Sequence, residues 1–431
     1  MIKLLFIFTL FQTNDSTLTE DKAIELALSN NFDIRLEAYN LEIAKNNNTA
    51  GNAGMLPTIG LNGNSRQSIQ NTEQQFISGE GQTRDGAKTT IYSAGASLDW
   101  TLFDGFRMFA TKERLEEISQ LNEMVFKSQV QDAIADVLKA FYNTALEQER
   151  LALLESTLKL SEERVSISKE KYEIGKASKL EYLQAQVDYN SDQSALIRQQ
   201  EVIAYLKLQL IQLIGIQDGY EEFDLVYDLT DFDTALDLEN LESEAVQQNP
   251  FLLQLRSQQE VSLLTIKENE RDRLPSLDFN LGYNYSNLSA EAGFLQSNIS
   301  SGITYGLTAT MTLFDGMNKT RTIQNARIMS EQSLTAYQQG EAQLRTAVRS
   351  GVLVLRNAKM LAELEQKNFD VAKENVTIAL ERYRVGKSNP LEIREAQNNA
   401  VDAQIRYIES LNMAKIAEIE LLRLTGKMLE K

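Results

Sequence analysis

An internal repeat at one fixed spacing leaves few folds open to this chain. From Thr101 to Gly215 every position has a counterpart 211 residues on, without a gap, ending at Gly426. Thr101-Leu102-Phe103-Asp104-Gly105 returns as Thr312-Leu313-Phe314-Asp315-Gly316. Tyr172, Gly175 and Lys176 return as Tyr383, Gly386 and Lys387, and Leu180-Glu181 and Ala185-Gln186 as Leu391-Glu392 and Ala396-Gln397. Upstream, a spacing of 218 pairs Ala27, Asn31 and Leu56-Pro57 with Ala245, Asn249 and Leu274-Pro275. A unit of roughly two hundred residues is far longer than a solenoid repeat, so the chain is two structural repeats within one architecture.

The second landmark of each repeat is a helix, a tight break and a second helix. Gly175 and Gly386 suit a left-handed residue just past a helix end. Lys176 and Lys387 place positive charge against the negative end of the helix dipole. Ser178 starts the next helix with Glu181 three residues on, as a capping box. Asn389 does the same with Glu392, and Pro390 takes the first helical position. Each copy is therefore a helical hairpin tip. Before the first tip runs a proline-free stretch from Phe106 to Ile174, about 100 Å long as a helix. The helix from Ser178 to Ile214 is about half as long. The missing height is assigned to a shorter helix of the other repeat, roughly 241–273. A further helix is expected over 18–55, with Thr19 as cap and Pro57 as its end.

Elsewhere the period changes to two. Tyr92, Ala94, Ala96, Leu98, Trp100 and Leu102 alternate with Ser93, Gly95, Ser97, Asp99 and Thr101. Leu277 to Tyr285 and Ile303 to Leu313 alternate in the same way. These are strands with one apolar and one polar face. A weaker strand is expected over 59–69, with 70–88 as a loop. Strands of about ten residues or more suit a tilted transmembrane strand. Four cannot close a barrel, and open edges are prohibitive in lipid, so other copies of the chain must complete the sheet. Trp100 falls on the apolar face, as a lipid-facing or interfacial aromatic.

Composition narrows the chemistry. There are no cysteines and no histidines, which removes thiolate sites, the usual general base and the commonest metal ligand. A net charge of −18 disfavours nucleic acid as a partner. No nucleophile–base pair, phosphate loop or metal-ligand cluster points to an enzyme, a cofactor or a metal. The chain divides into 1–16, resembling a signal-peptide core; 17–215, the first repeat; 216–240, an acidic connector; and 241–431, the second repeat. Asp218, Glu221, Glu222, Asp224, Asp228, Asp231, Asp233 and Asp237 make the connector a solvated surface segment.

The duplicated Leu-Pro, LFDG and Tyr-x-x-Gly tip, in that order and at constant spacing, resemble the TolC-like outer membrane efflux proteins over nearly the whole chain. The resemblance implies a mainly α fold with a transmembrane β-barrel portion: a homotrimer, a twelve-stranded barrel and a long periplasmic α-helical barrel of coiled-coil helices. It implies an outer membrane exit duct in a Gram-negative bacterium, working with a periplasmic adaptor and an inner membrane RND or ABC transporter. Many members carry a lipidated N-terminal cysteine, an anchor not expected here. The resemblance places adaptor contacts at the tips, at Tyr172, Gly175, Lys176, Gly386 and Lys387. It places an acidic periplasmic gate at Glu395 and Glu392, with Glu181 and Tyr383 at matching lock positions. Ser388 stands where the family's basic lock partner would be. Glu181 and Glu392 also have capping duties; Glu395 has none. Efflux of small toxic molecules is the first reading and type I protein secretion the alternative. Metal efflux is a third, with the metal selected by the pump, and a non-membrane coiled-coil scaffold is the reading from another class. Membrane lipid is the remaining partner.

Overall fold

The computed structural model describes residues 17–216, 223–232, 240–293 and 295–429. The signal-like segment 1–16 lies outside the described residues, as do Asp218, Glu221, Glu222, Asp233 and Asp237 of the acidic connector. The elements are β1 (Thr17–Thr19), α1 (Glu20–Asn30), α2 (Phe32–Asn47), β2 (Thr58–Gln75), β3 (Gly81–Phe103), α3 (Arg107–Glu173), α4 (Lys179–Ile214), β4 (Asp224–Val226), α5 (Leu241–Gln248), α6 (Pro250–Arg271), β5 (Ser276–Ala290), β6 (Ser297–Thr310), α7 (Asn318–Arg384) and α8 (Pro390–Thr425). The repeat is explicit in the helices: α3 and α7 have 67 residues each, α4 and α8 have 36 each. Two compact units form, and each draws on both repeats. One takes Asn40–Glu123 and Gln254–Gln338, the other the rest of the chain.

The first unit holds an antiparallel sheet in the order β2-β3-β5-β6. Directly opposed residues of an antiparallel pair share a face. One row therefore joins Ile59, Leu98, Leu281 and Tyr305, and another Leu61, Ala96, Tyr283 and Ile303. Trp100, Phe279 and Leu307 continue the same face. The opposite face carries Thr58, Asp99, Asn280 and Gly306, then Asn62, Gly95, Asn284 and Gly302. Here Asn280 donates to Asp99 at 2.6 Å and Thr101 to Asp278 at 2.7 Å. Among the described residues nothing covers the apolar face: Leu61 is 86% exposed and Tyr305 79%. The expected facing of the strands is thus the observed one. The Trp100 indole N–H donates to Met55 O at 3.0 Å, satisfying its polar end.

Two strand boundaries differ from expectation. Residues 70–88 are not a loop: β2 and β3 pair down to Gln75 and Gly81, with a bulge between Gln70 and Thr72. A ladder is made by backbone groups, so polar side chains do not end it, and alternation alone could not reveal it. The alternation at Met311 and Leu313 does not mark strand either. β6 ends at Thr310, opposite Ser276, because Pro275 before it offers no N–H to extend the ladder.

The second unit is helical. Its core packs the middle of α3 (Val137, Leu138, Phe141) against α1 (Ala23, Ala27), the end of α4 (Leu210, Ile214) and α8 (Ile419, Leu422). Phe141 is fully buried; truncation to alanine there costs about 3–5 kcal/mol. β1 and β4 pair in parallel. Phe223, Leu225 and Leu229 enter the same core. The described part of the connector is thus not simply a solvated segment, because its apolar residues alternate with the acids.

The helices expected over 18–55 and 241–273 are each broken in two. The break falls at Asn31 and at Asn249, and the same device makes both. Asn31 Nδ2 donates to Leu213 O at 2.7 Å, while its Oδ1 accepts from Asp33 N and Ile34 N at 2.9 and 3.0 Å. Asn249 Nδ2 donates to Leu424 O at 3.0 Å, and its Oδ1 accepts from Leu252 N at 3.0 Å. One amide thus serves an orphan carbonyl at the end of one helix and orphan N–H groups at the start of another. Gly215 and Gly426 close α4 and α8 in the left-handed conformation. A Cβ on Gly215 would collide with Asn30 O, and one on Gly426 would meet Gln248 O at 2.8 Å. The end of α4 therefore abuts the start of α2, and α8 abuts α6. The height missing from each short helix comes from its own repeat, not from the other.

Candidate functional site

Two regions bear on function: the hairpin tips and the uncovered sheet. At the tips, α3 ends with Gly175 N donating to Tyr172 O at 3.0 Å and Lys176 N to Lys171 O at 2.8 Å. At the end of α7, Gly386 N donates to Tyr383 O at 3.0 Å and Lys387 N to Arg382 O at 2.8 Å. Both are Schellman closures, with Gly175 and Gly386 at φ 73° and 76°. The Ser178 hydroxyl accepts from Glu181 N at 3.2 Å, and Asn389 Oδ1 from Glu392 N at 2.9 Å. The capping half of each expected box is present. The reciprocal half is replaced at Glu392, whose carboxylate accepts from Arg382 at 2.8 Å and from the Ser388 hydroxyl at 2.6 Å. Arg382, one turn before the glycine, supplies the cation that Ser388 does not.

Equivalent positions at the two tips have different surroundings. Tyr172 is exposed and stacks on Tyr182 with ring centroids 6.2 Å apart. Tyr383 is buried with Ala379, Ile393 and Ala396. Its hydroxyl lies 3.2 Å from Ser168 Oγ, and Lys171 Nζ sits 3.7 Å above its ring and donates to its carbonyl at 2.5 Å. Burial lowers the Lys171 pKa from the ordinary lysine value, and Glu181 works against that shift. Tyr383 thus joins the two hairpins of one chain. Glu395 is exposed, one turn beyond Glu392 and on no cap. Lys176, Lys387, Gly175 and Gly386 are exposed at the extreme of the turns.

Sequence reasoning missed two features here. Ile174 and Val385, and Leu180 and Leu391, are repeat equivalents exposed by 66%, 68%, 74% and 74%. Both tips thus carry an apolar knob on each side of the glycine. Deeper in, a polar network ties the hairpins together. Arg394 holds Asp192 with two bonds of 2.9 and 3.0 Å, and Ser161 donates to the same carboxylate at 2.5 Å. Arg164, 2% exposed, reaches Gln397 at 2.8 Å and Asp188 at 3.0 Å. No repeat pattern signals it: Leu183, Asn375 and Ala403 stand at the equivalents of Arg394, Arg164 and Asp192.

Among the described residues no helix is long and apolar enough to cross a membrane. The sheet carries apolar rows on one face and polar rows on the other, and among the described residues its edge strands β2 and β6 are unpaired on their outer sides. Together with the paired long helical hairpins, this sheet makes the chain one of a class that joins a long helical portion to an amphipathic β portion. A profile described as "Outer membrane efflux protein" matches residues 23–216 and 241–427. The chain belongs to that family, and it is an outer membrane efflux protein. It is 24% identical over 411 residues to the probable efflux pump outer membrane protein TtgC of Pseudomonas putida, covering 94% of this chain and 82% of TtgC. The same figures hold for the antibiotic efflux pump outer membrane protein ArpC of Pseudomonas putida. In fold it is similar to the Campylobacter jejuni CmeC outer membrane channel, with TM-score 0.79 at 17% identity, over 94% of this chain and 85% of that one. It is likewise similar to CusC, with TM-score 0.77 at 16% identity, over 97% and 96%.

Proposed function

We propose that three copies of this chain form the outer membrane exit duct of a tripartite pump for small toxic molecules. The observation that carries this is the single uncovered apolar face running across all four strands, with β2 and β6 open at its edges. A copy turned about the barrel axis can pair its β2 with this β6. The two edge strands run in opposite directions, so the new ladder is antiparallel like the others. A heterologous contact of this kind closes into a ring. The partners are a periplasmic adaptor, met by the tips through Tyr172, Gly175, Lys176, Gly386 and Lys387, and an inner membrane RND or ABC transporter. Two curated relatives carry "antibiotic" and "toluene" in their names, and the small-molecule cargo follows theirs.

The same proposal makes Glu395 the gate carboxylate, with Glu392, Glu181 and Tyr383 around it. Three like charges brought to one axis attract cations. Conductance, ion selectivity and divalent block in planar bilayers test this. Glu395→Ala is expected to lose cation selectivity and tip-side block, with helix content and oligomer stability unchanged. Glu392→Ala loses the Arg382 and Ser388 contacts, a tip destabilisation under about 1 kcal/mol for so exposed a pair. Unchanged selectivity and block in Glu395→Ala would remove that residue from the gate.

A further inference from the structure

We propose that the groove between the end of α6 and the start of α7 is a site for a phosphate-bearing anion. A cavity of about 510 Å³ opens there at the foot of β5. Lys267, Arg271, Arg273 and Arg327 line it against a single carboxylate, Glu270, and the buried Ile323 contributes an apolar patch. Two of the four cations already have anions: Arg327 pairs with Glu270 at 2.8 Å and Lys267 with Glu113 at 2.5 Å. The other two do not. Among the described residues the Arg273 side chain reaches only the Thr320 hydroxyl, at 3.1 Å. The Arg271 guanidinium has no partner among the described residues. Two neighbouring guanidiniums without anions, in a concave site, match the paired oxygens of a phosphate.

The architecture does not require this charge. At the equivalent positions of the first repeat stand Thr49, Ala53, Met55 and Glu116. Those four positions are basic in one repeat and not in the other, where Lys112 at the equivalent of Ile323 is the cation instead, in a chain whose net charge is −18. The first turn of α7 adds Lys319 and Arg321 and contains no acidic residue. Cations are disfavoured at a helix N-terminus, where the dipole is already positive. The Asp315 carboxylate answers part of that charge by accepting from Lys319 N at 2.7 Å, and Lys319 Nζ donates to Asp272 O. Among the described residues no acid answers Arg271 or Arg273, and that pair is what points to a ligand.

Two sources can supply the phosphate: the headgroup of an anionic phospholipid, at the rim where the apolar rows end, or a soluble phosphate. The first rests on the membrane placement of the sheet and the second does not, so their failures are distinguishable. The test compares the wild-type oligomer with the double variant Arg271→Gln/Arg273→Gln. The control, Lys45→Gln/Arg66→Gln, removes the same charge from exposed positions of the same unit. Native mass spectrometry reads retention of phosphatidylglycerol against phosphatidylcholine, and calorimetry in lipid-free detergent reads binding of inorganic phosphate. Preferential retention of phosphatidylglycerol is expected, falling about tenfold or more in the double variant and not in the control. Phosphate binding lost in the double variant, with no lipid preference, would support the site and assign it to a soluble anion. If neither probe separates wild type from the double variant, or the control loses as much, the cations are a solvated face and the proposal falls. Should the double variant not assemble, Arg271→Gln alone carries the test, because among the described residues that side chain holds no hydrogen bond or ion pair.

Discussion

Asn31 and Asn249 show how much one side chain can hold. Each amide bridges two helix ends that lie far apart in sequence, through Leu213 and Leu424 respectively. Asn249→Ala leaves a buried carbonyl and a buried N–H unserved, at a cost of about 1–3 kcal/mol. Thermal unfolding of the assembled protein is expected to show that loss, and Gly426→Ala a similar one. In the latter the backbone sits at φ 79° and the new Cβ would meet Gln248 O at 2.8 Å. Unchanged unfolding in both variants would mean that the abutting ends are held elsewhere. The landmarks were legible in the sequence, since Asn31 and Asn249 recur at the repeat spacing and Gly215 recurs as Gly426. Their role was not, because a side chain capping a helix that is distant in sequence leaves no local signal. The tip glycines and the Ser178 and Asn389 caps were legible for the opposite reason: every partner lies within a few residues. Arg394 and Asp192 had neither advantage, being neither repeated nor local.

At the scale of the element, the sheet gives the sharpest contrast. Leu307 and Thr308 are neighbours on β6 that face opposite ways, opposed on β5 by Phe279 and Asp278. Leu307→Arg places a charge among the apolar rows, at about 2–4 kcal/mol per chain near the bilayer midplane. It is expected to abolish outer membrane oligomers, seen as loss of heat-modifiable migration. Thr308→Arg is expected to assemble and to change conductance. Equal assembly of the two variants would reverse the facing. Alternation revealed these strands because burial on one side selects side chains with period two. It could not reveal the polar outer half of the β2–β3 hairpin, where only the backbone ladder specifies the pairing. The long helices were legible almost to the residue, because glycine and a cap mark both sides of each tip.

For the whole molecule, the expected state is a trimer, measured as a mass close to three chains by light scattering in detergent with the detergent contribution subtracted. A monodisperse monomer that keeps its β signal and conducts would overturn closure by copies. The need for other copies followed from counting strands, an argument that requires no contacts. Which helix supplies the missing height did not follow, since periodicity describes faces and says nothing about what meets a helix end.

The abutting helices also have a mechanical consequence. α3 and α7 are unbroken rods of 67 residues, and torsion applied at a tip travels along their full length through continuous backbone. α4 and α8 end at Gly215 and Gly426, where the backbone leaves the rod and the next segment begins on a different part of the chain. Torsion reaching those ends meets a break in the helical backbone, and is carried by the Asn31 and Asn249 amides, the close seats of Gly215 and Gly426 and the buried packing of Leu210, Ile214, Ile419 and Leu422. Each hairpin therefore pairs a shaft of continuous backbone with a shaft whose far end is held by side-chain contacts and close packing.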